Sequence, residues 1–130
     1  MQEPRWLTLE AVELLHLGLF ERYGGSHGVR GAALIESALS RPVNRWMYAP
    51  GCDLADLAAR YAYGLARNHG FVDGNKRIAF TALFVFLYRN GLLLETDEED
   101  ATATMVGVAS GELGEDELAE WIRSRIVPRK

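Results

Sequence analysis

An all-α fold, a compact bundle of about six helices around a central one, is predicted by three observations. Apolar residues recur along the chain at the three- and four-residue spacing of one helix face. The stripes are bounded by residues that cap helices. Of the 130 residues, 48% are hydrophobic, a share suited to one core. The chain is too short for two conventional domains, so residues 1–130 are expected to form one.

Thr8 is the expected N-cap of a first helix, "LEAVELLHLGLFERY", with Val12, Leu15, Leu19 and Tyr23 on one face. Gly24 and Gly25 end it, and "GGSHGVRG" reads as a loop. A short second helix covers "AALIESALSR" and stops before Pro42. "PVNRWMYAPG" is expected to be a loop that tucks Trp46 and Tyr48 against the core or offers them to a partner. Asp53 caps a third helix with the stripe Leu54, Leu57, Ala58, Tyr61 and Leu65, running into Asn68-His69-Gly70. The fourth starts near Asn75, reaches Asn90 and is closed by Gly91; its apolar surroundings make it the predicted central helix. "LLLE" is a short extended piece. Thr96 and Glu99 suggest a capping box for the fifth helix, and a sixth spans residues 115 to 126.

Net charge is −4 and the sequence pI about 5.4, which argues against a broad nucleic-acid surface. The one cysteine, Cys52, cannot form an internal bridge and favours a reducing compartment. "MQEPRWLTLE" lacks the apolar stretch of a signal peptide. The longest apolar run, Ile78 to Tyr88, is 11 residues, too short for a bilayer. A soluble, cytoplasmic protein with no membrane partner is expected.

One stretch stands apart. "NHGFVDGNKRIAF", residues 68–80, gathers His69, Asp73, Asn75, Lys76 and Arg77 at the bend between the third and fourth helices. The first turn of a helix carries unpaired N–H groups and partial positive charge. Gly74 lets the chain turn, and Asn75 is a good N-cap. Lys76 and Arg77 then oppose the helix dipole, an arrangement that makes sense when an anion such as phosphate is shared among them. Asp73, with phosphate oxygens and water, suffices for a Mg²⁺ site. His69 is the nearby group suited to taking a proton at neutral pH. Helix capping, turn chemistry and solvation can each explain one residue, but together they leave the adverse dipole pairing unexplained. His16 and His27 lack a nearby acid or second histidine at ligand spacing and are read as structural or solvated.

"HGFVDGNKR" resembles the motif of the Fic/Doc superfamily, specifically its Doc (death-on-curing) branch. "LEAVELLH", "YGG…GVRG", "LIESALSRP", "LAARYAYGLARNHGF", "LFVFLYRNG" and "VASGE" extend the likeness over nearly the whole chain. Most Fic enzymes transfer AMP from ATP to a protein hydroxyl through a motif of the form HPFxxGNGRxxR. Doc proteins act instead as kinases that phosphorylate a threonine of elongation factor Tu, and a Phd antitoxin restrains them. The resemblance implies ATP and Mg²⁺ as cofactors, His69 as general base and Asp73 as the Mg²⁺ ligand. It also implies Gly74 and Asn75 at the phosphate, and Lys76 and Arg77 neutralising charge on the transferred group. Arg67, just before the motif, is a further phosphate-binding candidate, equally explained as a surface arginine near a helix C-terminus.

Two departures from the Fic form matter. Lys76 stands where Fic enzymes have a second glycine, and Phe80 where they have a second arginine. Both disfavour AMP transfer and suit the Doc arrangement, in which the γ-phosphate moves. Gly70 replaces the Fic proline, a change expected to loosen the loop. A Doc-type protein kinase toxin with a Phd-like antitoxin is therefore the leading expectation. A Fic-type AMP transferase stands second. A non-catalytic nucleotide-binding module stands third, disfavoured because His69 and Asp73 are both present.

Overall fold

A computed structural model describes residues 2–130. Six helices run in the order α1 (Leu9–Tyr23), α2 (Ala32–Tyr48), α3 (Leu54–Asn68), α4 (Asn75–Arg89), α5 (Glu98–Ser110) and α6 (Glu115–Arg123). Two short strands, β1 (Leu92–Leu94) and β2 (Ile126–Pro128), pair antiparallel with Leu93 opposite Val127. The expected α-helical bundle is observed. No helix among the described residues is long and apolar enough to cross a membrane.

The hub is α3, not α4 as the apolar run suggested. It packs against α2, α4, α5 and α6, whereas α4 packs against α1, α3, α5 and β1. Nine of its 15 residues are buried, six of them alanine or glycine, and these small side chains let neighbouring helices approach closely. At Gly64 a Cβ would stand 3.0 Å from both Cα and Cβ of Ala38 on α2. Asp53 caps α3 as expected, reciprocally with Asp56.

Three element boundaries differ from the sequence-based expectation. The second helix continues through Pro42 to Tyr48, with Pro42 buried inside it. A proline costs about 3 kcal/mol in a helix interior, and burial of Ile35, Ala38, Leu39 and Pro42 along one face offsets that. Trp46 belongs to this helix and meets Trp6 edge-on at 6.1 Å, while Trp6 stacks on Phe86. Tyr48 remains 77% exposed. At α5 the N-cap is Asp97, which accepts from Asp100 N, while the Thr96 hydroxyl donates to the Asp100 carboxylate. The last helix ends at Arg123 because residues 126–128 pair with β1.

Gly70 does not loosen the bend after α3. Its carbonyl accepts from both Arg30 N (2.8 Å) and Gly31 N (3.0 Å), and a Cβ on it would stand 2.5 Å from Ile35 Cγ1. The glycine is there to admit α2. Gly70→Ala is therefore expected to destabilise the protein by about 1–3 kcal/mol, the usual range for forcing atoms into a packed site. A urea midpoint equal to wild type would contradict that expectation.

Candidate active site

The bend is built by hydrogen bonds from three directions. Phe71 is 2% exposed and anchors it in the core. Asn75 reaches back so that Phe71 N donates to its Oδ1 and its Nδ2 donates to Phe71 O, both at 3.1 Å. The N-cap of α4 is thus Gly74, at φ 77°, and not Asn75. From the α1–α2 loop, Val29 bridges Phe71, and Val72 N donates to Gly28 O at 3.0 Å. The glycine-rich segment read as a simple loop is therefore a main-chain partner of the motif. From α1, the buried His16 ring stacks on Phe71 at 3.9 Å and bonds the Asp73 carbonyl through Nε2 at 2.8 Å.

Asp73 itself is exposed, yet its carboxylate is held. Ser26 N donates to Oδ2 (3.2 Å) and Gly74 N to Oδ1 (2.8 Å). These two N–H groups, helped by the charge of Arg77, hold its pKa below the usual carboxylate range. Gly25 makes room: at φ 98°, a Cβ there would lie 2.7 Å from Asp73 Oδ2. Asp73 is charged at neutral pH, and each oxygen accepts one of these bonds and retains lone-pair capacity. One hard, ionised oxygen donor at a helix N-terminus suits a Mg²⁺ that arrives with phosphate and keeps its waters. No group of three or more metal-ligating side chains exists among the described residues, so the remaining ligands would have to come from substrate and solvent.

At the start of α4, Ile78 N is the first amide bonded into the helix, to Gly74 O. Among the described residues, the N–H groups of Asn75, Lys76 and Arg77 have no acceptor. N–H groups of this kind, with the positive end of a helix behind them, can hold an anion. Lys76 is exposed, and its side chain has no hydrogen-bond or ion-pair partner among the described residues. Arg77 lies over the Tyr23 ring, 4.9 Å from its centroid. Asn75, expected to position phosphate, has its side chain committed to Phe71; what it can offer an anion is its backbone N–H.

His69 closes α3 in the left-handed conformation, φ 52° and ψ 47°. It is the only non-glycine residue with positive φ among those described. Such backbone costs free energy and is concentrated at functional sites. Its imidazole is exposed and hydrogen-bonds to no described residue. Arg67 belongs elsewhere: its guanidinium donates to Val108 O and Ala109 O at the end of α5 and lies over Tyr63. These contacts fit the plainer account of a helix-terminal arginine. His27 is exposed beside Phe20.

Sequence spacing alone reads His16 as structural or solvated and does not connect it to the bend. The signal was its place four residues after Val12 on the buried face of α1, where a polar side chain must find a partner.

The Fic/DOC family model matches residues 6–87, which is most of the chain. "Protein kinase doc" of Escherichia phage P1 is 34% identical over 119 residues, covering 92% of this chain and 94% of that protein. "Toxin Doc" of Mycolicibacterium smegmatis (strain ATCC 700084 / mc(2)155) is 43% identical over 79 residues, 58% of each chain. The chain belongs to the Fic/DOC family. Its relatives place it on the Doc branch.

Proposed function

We propose that this protein is the toxin of a toxin–antitoxin pair and a protein kinase, moving the γ-phosphate of ATP to a threonine hydroxyl of elongation factor Tu. The observation that carries the reading is the start of α4: three N–H groups without an acceptor among the described residues, flanked by Asp73, Lys76 and Arg77, with the exposed imidazole of His69 at the end of the helix before the bend. The names of the two relatives supply the kinase and the toxin, and the family resemblance supplies the target. A Phd-like antitoxin is the proposed partner.

In this mechanism the terminal phosphate lies against the N–H groups of Asn75, Lys76 and Arg77. His69 takes the proton of the substrate hydroxyl as its oxygen attacks the γ-phosphorus, and the bond to ADP breaks. Lys76 and Arg77 neutralise charge on the phosphoryl oxygens. Asp73 would hold Mg²⁺, which when bound supplies further charge neutralisation. Phe80 supports phosphoryl over AMP transfer, since it packs against the core where a second arginine would be needed.

Labelled ATP tests this. Incubated with a bacterial lysate, the protein is expected to transfer γ-label to a translation factor and no α-label. Transfer of α-label would mean AMP transfer; no transfer of either would leave a binding module. Lys76→Ala is expected to lower transfer by about 10²-fold, as removal of one preorganised donor does. Its unfolding temperature should not move, because the exposed side chain makes no hydrogen bond or ion pair with a described residue.

A further inference from the structure

We infer that His16 of α1 is a positioning residue of the transfer site, orienting the Asp73 carboxylate through the Asp73–Gly74 peptide, a role that rests on the proposed magnesium–nucleotide site. A carbonyl oxygen can only accept, so the 2.8 Å contact requires that Nε2 of His16 carry the proton. The ring cannot swing away. It is 4% exposed and lies nearly parallel to Phe71, 3.9 Å between centroids and 12° between planes. Phe71 is itself fixed at both backbone ends by Asn75.

The peptide unit carries the constraint onward. Carbonyl and N–H of one trans peptide are rigidly opposed, so fixing Asp73 O fixes the direction of Gly74 N–H. That N–H donates to Asp73 Oδ1 at 2.8 Å, while Ser26 N holds Oδ2. A donor 57 residues away in sequence thus sets the attitude of the carboxylate without touching it. Packing alone gives no reason for an imidazole here. A phenylalanine would stack on Phe71 equally well and leave no polar atoms to satisfy.

His16→Phe keeps the ring and removes the donor, whereas His16→Gln can restore an N–H near the Nε2 position. In the wild-type protein, ¹⁵N NMR is expected to find His16 protonated on Nε2; a ring protonated on Nδ1 alone would overturn the assignment without any variant. The second readout is the Mg²⁺ concentration that half-saturates binding of β,γ-imido ATP. His16→Phe is expected to raise it roughly tenfold or more, the usual loss when a group supporting a metal ligand is removed. His16→Gln should return it to within about threefold of wild type. A folded His16→Phe variant with the wild-type Mg²⁺ requirement would reduce His16 to a core residue and refute the role. A wild-type protein that binds no Mg²⁺–imido ATP would refute the nucleotide site itself, and this role with it.

Discussion

Replacement of His69 by alanine is expected to lower phosphoryl transfer by roughly 10²–10⁴-fold, the usual contribution of a general base, while the protein remains folded. The side chain is exposed and makes no hydrogen bond to a described residue, so little is lost from packing. The backbone is the complication, since φ 52° strains any residue with a Cβ. Asparagine tolerates that region better and has no proton-accepting group. His69→Asn should therefore match His69→Ala in activity and exceed or equal it in unfolding temperature. A folded variant of either kind with near-wild-type turnover would remove His69 from its role.

Asp73→Asn is expected to have an effect of similar size, about 10³-fold, because neutralisation by a bound cation is worth several kcal/mol. The substitution is nearly isosteric but cannot satisfy both backbone donors. With Oδ1 facing Gly74 N, the new amide nitrogen would face Ser26 N–H, donor against donor. Activity should recover in part at high Mg²⁺, which distinguishes lost metal affinity from a collapsed loop. An Asp73→Asn variant with the wild-type Mg²⁺ requirement would show that the metal is held elsewhere.

How far the sequence discloses this molecule depends on the range of the interactions concerned. The motif from His69 to Arg77 is legible because helix ends, turn glycines and dipole-opposed cations are local features. The capping of α1 and α3 is legible for the same reason. Pro42 misleads because local chemistry says stop, while the buried face of α2 and the Trp46–Trp6 contact continue the helix. β2 is hidden because Ile126–Pro128 becomes a strand only beside Leu92–Leu94. The site's support from His16, Ser26 and Val29 is equally hidden, since each meets the motif across more than 40 positions of chain. Arg67 lies beside the motif in sequence, yet its guanidinium is bound to the far end of α5.

The central claim is that terminal phosphates sit on the first turn of α4. Amide chemical-shift mapping with Mg²⁺ and β,γ-imido ATP tests it most directly, because the N–H groups of Asn75, Lys76 and Arg77 have no acceptor among the described residues to leave. Those three resonances are predicted to shift most on titration, together with Asp73 and Gly74. Saturable shifts centred on another face, such as the end of α2 near Tyr48, with residues 73–77 unmoved, would contradict it.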